Sequence, residues 1–148
     1  MLFRSQPTGA FKLRGAYNAI ASLAADSRPP GVVAHSSGNH GFAVAYAAAL
    51  LGIPAAIVVP DSAPAVKTDL ISGVGAELVT VAATLAARVE ASAAIARDRG
   101  YAEIPPFDDR RVIAGQGTIG LEIAEDAKPE AVLVPVSGGG LIDRKSVV

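Results

Sequence analysis

The 148-residue chain contains no cysteine. That excludes disulfides, thiol nucleophiles and cysteine-ligated metal, and it accords with a reducing compartment. Aromatic residues make up only 5% of the chain, and the formal net charge is −1. Such a balance leaves no electrostatic footprint for nucleic acid or an anionic membrane surface. No metal site is expected. The beginning, Met1-Leu2-Phe3-Arg4, lacks the shape of a secretory leader, so a cytoplasmic location is expected. Charge is also missing from residues 41–60, a stretch long enough, at about 20 residues, to cross a bilayer. Gly52-Ile53-Pro54 interrupts it, and the β-branched run after Pro54 reads as a short buried strand, which argues against a membrane span.

What is present is apolar: 51% of the residues, many of them Ala and Val, enough to bury a core and suited to an α/β protein. Strand patterns at 32–34, 56–59 and 77–81 alternate with helical ones at 42–51, about 64–74 and 85–99. The second of these helices has Asp61 or Ser62 as candidate caps and Gly73 or Gly75 as its stop. The third carries Leu85, Val89, Ala93 and Ala96 on one face, Arg97 and Arg99 in its last turn and Gly100 beyond. This alternation predicts a parallel βαβ series. Residues 131–136 read as one more buried strand.

One lysine stands in an odd place. Lys12 follows the turn signal Pro7-Thr8-Gly9 and opens a helix whose apolar positions are Leu13, Ala16, Tyr17, Ile20, Leu23 and Ala24. There the positive end of the helix dipole disfavours an ammonium group, and a neutral amine beside Phe11 suits Schiff-base chemistry. The other lysines, Lys67, Lys128 and Lys145, read as solvated. Two strand-to-helix junctions could hold anions: His35-Ser36-Ser37-Gly38-Asn39-His40-Gly41 and Ser137-Gly138-Gly139-Gly140-Leu141. His35 alternates away from Ala34 and Ser36 and reads as structural, and Ser36 could simply cap the following helix. Gly115-Gln116-Gly117-Thr118-Ile119-Gly120 fits the dinucleotide fingerprint, but no convincing strand precedes it and no acid ends the next one, so its glycines read as helix-packing residues. Glu122 and Asp126 read as an exposed helix face.

In order along the chain, the segment around Lys12, residues 36–41, 52–67, Gly75-Ala76-Glu77, Pro106-Phe107-Asp108-Asp109, residues 113–122 and residues 134–141 resemble the fold-type II pyridoxal-5′-phosphate enzymes, most closely the threonine dehydratase and serine racemase branch. The resemblance covers residues 3–142. It implies a three-layer parallel-sheet α/β fold in which residues 1–31 and 104–142 belong to a partial large cofactor domain and 32–103 to a largely complete small domain. By the same resemblance Lys12 carries pyridoxal 5′-phosphate, Phe11 packs on its ring, Asn39 meets its 3′-oxygen, and Ser137, Gly138, Gly139 and Gly140 hold its phosphate. Ser36, Ser37, Asn39 and His40 would surround the substrate carboxylate, and Ser37 stands where the racemase members of the family keep a second acid/base opposite the lysine.

The implied reaction is dehydration and deamination of L-threonine or L-serine to a 2-oxo acid and ammonia, with serine racemisation as the alternative. Cysteine-forming members typically show Thr-Gly-Asn-Thr-Gly where this chain has Ser37-Gly38-Asn39-His40-Gly41, and a threonine synthase would place Asp at Leu13. The whole protein is expected to be a homo-oligomer acting on a small β-hydroxy amino acid. Family chains are about twice this length or more, and residues 143–148 depart from the pattern as a non-family tail. The 148 residues alone are therefore expected to be catalytically incompetent, a truncated domain.

Overall fold

The computed structural model describes residues 6–127, 129–136 and 138–142. The elements in chain order are α1 (Lys12–Asp26), β1 (Val32–His35), α2 (Asn39–Leu50), β2 (Ala55–Pro60), α3 (Ala65–Gly73), β3 (Glu77–Val81), α4 (Leu85–Arg99), β4 (Ala102–Glu103) and α5 (Arg110–Asp126). All four strands run parallel in the order β3-β2-β1-β4. The sequence does not announce β4, which is only two residues long; it exists because Val32 and Val33 have a free edge to pair with Ala102 and Glu103.

Both faces of the central strands are covered, as a parallel sheet requires. Val32 and Ala34 of β1, with Ala55, Ile57 and Val59 of β2, pack on one side against α1, α2 and α3. Val33, Ala56 and Val58 alternate to the other side and meet Ile95 of α4. This gives three layers. The cluster on the first side also takes in Leu13, Ala16, Ala19 and Ile20 of α1 and Val112 of α5, so the helix that starts at Lys12 is seated on the same core as β1 and β2.

Gly100 closes α4 in the left-handed conformation at φ 69°, and Arg97 and Arg99 occupy the last turn, as the sequence predicts. The predicted α4 face does not hold. Leu85 and Val89 are exposed, and the buried positions are Ser92 and Ile95. The helix is so rich in alanine that two faces qualify, and the small side chains Val33, Ala56 and Val58 beneath it select the narrower one. Neither Asp61 nor Ser62 caps α3, whose N-cap is Pro64 with no side-chain hydrogen bond. The first junction helix starts at Asn39, three residues before its predicted start. Residues 131–136 form no strand. Their apolar side chains lie open, Leu133 at 98% exposure, and they pair with no described strand. Among the described residues, no helix is long and apolar enough to cross a membrane.

Candidate functional site

Gly9, at φ 71°, closes a turn in which its N–H donates to the Gln6 carbonyl at 2.7 Å, and Phe11 then serves as N-cap of α1. Lys12 is consequently the first helical residue. Its Nζ lies 5.4 Å from the centre of the Phe11 ring and donates to the Pro106 carbonyl at 2.5 Å. The amine is held below the usual lysine range, and the cause is partial burial, which penalises the charged form. The helix dipole expected from the sequence acts in the same direction, and desolvation is the cause the structure supplies.

The path of α1 is fixed by its crossing with α5. A Cβ on Gly15 would lie 2.3 Å from Gln116 Nε2, and one on Gly115 would lie 2.4 Å from the Arg14 carbonyl oxygen. The two backbones can meet only because both positions lack side chains. Within the glycine fingerprint, which lies wholly inside α5, the helix-packing reading holds at Gly115 and not at Gly120, where an added Cβ would meet nothing within 4 Å. At the crossing Gln116, 1% exposed, accepts from the Gly15 N–H at 3.2 Å. Arg14 donates to Thr118 Oγ1 at 2.9 Å and forms a two-pronged ion pair with Glu122. Glu122 is thus a partner of α1 and not a free solvated face, and the Arg14 guanidinium holds its carboxyl below the ordinary range.

At the β1–α2 junction the chain folds back sharply. Ser36 Oγ accepts from the Gly38 N–H at 3.2 Å, making a local turn, while Gly38 itself is the N-cap of α2. A Cβ on Gly41 would come within 1.8 Å of the Ser36 carbonyl oxygen, so the turn requires glycine there. Ser36 and Ser37 are half-buried and Asn39 is exposed at the helix start. The first-turn N–H groups of α2 have no partners within the helix and point outward as anion donors. His35 ends β1 with a shielded Nδ1 that has no hydrogen-bond partner.

His40 occupies a different position from its neighbours. It is 4% exposed, and its Nε2 lies 2.8 Å from the Ile104 carbonyl oxygen, so Nε2 carries the proton and donates. Burial, with Lys12 and His35 adding to it, pushes the imidazole down to about 4 against the opposing pull of the Ile104 carbonyl. Neutral, with Nδ1 bare and buried, the side chain has no proton left to offer a carboxylate. His40 is therefore not among the neighbourhood's anion donors, which are the first-turn backbone N–H groups and the side chains of Ser36, Ser37 and Asn39.

Ser137 lies outside the described residues, as do Lys128 and residues 143–148. Its neighbours Gly138, Gly139 and Gly140, with Phe107, Asp108, Ile113 and Ile142, line an open cavity of about 420 Å³. A Cβ on Gly138 would lie 2.3 Å from the Phe107 ring, and Gly139 has φ 84°. This is a cradle that only a glycine backbone can form, the kind that lets N–H groups approach a phosphate. Lys12, Ser36, Ser37 and Asn39 do not line the cavity; Lys12 is tied to Pro106, the residue before the lining Phe107. A partly buried amine of lowered basicity, bonded to the residue before the cradle's Phe107, fits an aldehyde-bearing phosphate cofactor. The Pro106 carbonyl and the seat of His40 are not visible in the motifs; the only sequence signal is the Pro105-Pro106 pair.

A family model described as pyridoxal-phosphate dependent enzyme matches residues 4–143. A serine racemase of Arabidopsis thaliana is 47% identical over 138 residues, 93% of this chain and 42% of that protein. An L-threonine ammonia-lyase of Thermotoga maritima is 50% identical over 143 residues, 96% of this chain and 36% of that protein. The solved structure of maize serine racemase superposes with a TM-score of 0.88 at 43% identity, covering 92% of this chain and 42% of that one. The chain thus spans about two fifths of the length of these relatives, and with nearly all of its residues matched it belongs to the pyridoxal-phosphate dependent enzyme family.

Proposed function

We propose that the whole protein deaminates a β-hydroxy amino acid, L-threonine or L-serine, by eliminating water and then taking water up again, giving a 2-oxo acid and ammonia. The observation that carries the reading is Lys12: a partly buried amine of lowered basicity at a helix start, docked on a carbonyl beside a glycine cradle. When bound, pyridoxal 5′-phosphate would supply an electron sink for the charge left as the substrate loses its Cα proton. Lys12 would anchor the cofactor and, once released as an amine, take that proton. The backbone of Gly138, Gly139 and Gly140, with Ser137, would hold the phosphate, Phe11 would flank the ring and Asn39 would meet its 3′-oxygen. The Ser36–Gly41 turn would receive the substrate carboxylate on the first-turn N–H groups of α2. Departure of the β-hydroxyl leaves an enamine, which water converts to 2-oxobutanoate or pyruvate and ammonia.

Serine racemisation is the second reading, favoured by Ser37, which sits half-buried in the same turn and could return a proton from the other side. Assays of the full-length holoenzyme with L-threonine and L-serine separate the two. Oxo acid in excess of D-isomer is expected, and more D-serine than pyruvate overturns the choice. Borohydride reduction followed by peptide mapping should place the pyridoxyl label on Lys12; label on Lys67 or Lys128 defeats the whole reading. The 148 residues alone should show neither cofactor absorbance nor turnover, since Leu133 and Val136, next to the glycine cradle, stand uncovered.

A further inference from the structure

The segment that receives the Lys12 amine has an unusual weakness. Ile104 gives its N–H to the Val33 carbonyl at 2.9 Å, and the next two residues, Pro105 and Pro106, have no N–H to give. Between there and the Asp109 cap of α5, which accepts from the N–H groups of Arg111 and Val112, carbonyls can tie the chain to other elements. Two are held. The Ile104 carbonyl accepts from His40 Nε2 at 2.8 Å, and the Pro106 carbonyl accepts from Lys12 Nζ at 2.5 Å.

These ties differ in permanence, because the amine must leave the Pro106 carbonyl whenever it engages a cofactor, whereas His40 is buried and has no competing partner. We infer that His40 is a positioning residue for Lys12: its Nε2–H fixes the Ile104-Pro105-Pro106 strap and keeps the Pro106 carbonyl in place to receive and orient the lysine amine. The inference rests on the role proposed above for Lys12. A histidine serving only as core filler would leave its geometry unexplained. Its Nδ1 is buried without a partner, a penalty that a Leu or Met at this position would avoid, so the Nε2–H bond is the property that distinguishes it. The connection also links two places that the chain separates by more than sixty residues, because the helix that starts at the Ser36–Gly41 turn carries the donor.

The test uses the full-length holoenzyme. His40→Phe keeps a ring but removes the donor, and it should lower kcat on the order of 10- to 100-fold, with KM for the amino acid within about twofold. His40→Gln, which can still donate to Ile104, should recover most of kcat. A rise in KM with kcat intact would instead make His40 a carboxylate-binding residue, and loss of thermal stability with both constants intact would make it core filler; either overturns the inference. If neither variant folds, imidazole 15N spectra of the wild-type holoenzyme decide. They must show Nε2 protonated and Nδ1 bare from about pH 5 to 9, and the opposite tautomer refutes the tie. Borohydride mapping on the same variants separates the two claims, since label on Lys12 with unchanged kcat in His40→Phe defeats the positioning role and spares the proposed reaction.

Discussion

β1 and the segment at 131–136 both run through apolar residues into a small-residue loop, yet they meet opposite environments. Val32 and Val33 are fully buried between α2 and α4, with β2 on one edge and β4 on the other. Leu133 and Val136 are open to solvent, and their backbone pairs with no described strand. The consequence reaches the loops. The Ser36–Gly41 turn is locked between a paired strand and a seated helix, whereas the Gly138–Gly140 cradle is steadied by its contact with Phe107. A strand is a cooperative object: its N–H and C=O groups need a neighbour, and an apolar run supplies only the wish to be covered.

The comparison can be broken most sharply at Gly41. Gly41→Ala would press a methyl against the Ser36 carbonyl, and denaturant unfolding should show a loss of more than about 4 kcal/mol, enough to unfold many small domains. Tolerance of that change would mean that the first junction is as pliable as the second. Hydrogen exchange sharpens the contrast: amides of Val33 and Ala34 should be protected on the order of a thousandfold more than those of Leu133 and Val134 in the isolated 148 residues, about 4 kcal/mol. In the full-length protein the second pair should become protected too, if missing neighbours are the reason it is open.

Acid should loosen the first junction next. The His40 imidazole is held near 4 in the folded protein against 6.5 for the free side chain. The unfolded chain therefore binds the extra proton first, so stability is fully present above about pH 6.5 and falls as pH drops toward 4, by as much as about 3 kcal/mol. Thermal midpoints across that window should show the decline in wild type and a flatter profile in His40→Gln. A flat wild-type profile would show that the imidazole is not buried as a neutral group. Smaller effects are expected in α5, where Gly115→Ala should cost about 2 kcal/mol by overpacking against Arg14 and Gly120→Ala, with nothing within 4 Å, should add up to about 1 kcal/mol through helix propensity. Equal effects at the two glycines would remove the case for a close helix crossing.

Much of the architecture was readable because period and punctuation agree with it. β3 and α4 begin and end where their patterns do, Gly100 stops α4 in the left-handed conformation, and the turn before Lys12 delivers the lysine to the first helical position. The reading faltered where pattern alone was degenerate. Alanine counts as apolar on every side of a helix, so the face of α4 was decided by the size of Val33, Ala56 and Val58 beneath it. Proline offered itself as the N-cap of α3 although two better side-chain acceptors precede it, because the turn had already used Pro60 and Ala63 in a backbone bond.

The sequence by itself determined the alternation of strands and helices, the glycine positions that permit close turns, and a lysine at the start of a helix, since each depends on local sterics and on which side chains shun water. Only the tertiary structure decided that the Lys12 amine loses basicity through burial, that it docks on Pro106, that His40 turns inward to Ile104, and that Glu122 belongs to Arg14. Those are meetings between residues 64 to 108 positions apart, and no local pattern encodes them. They exist because a shared core brings α1, α2 and α5 close together.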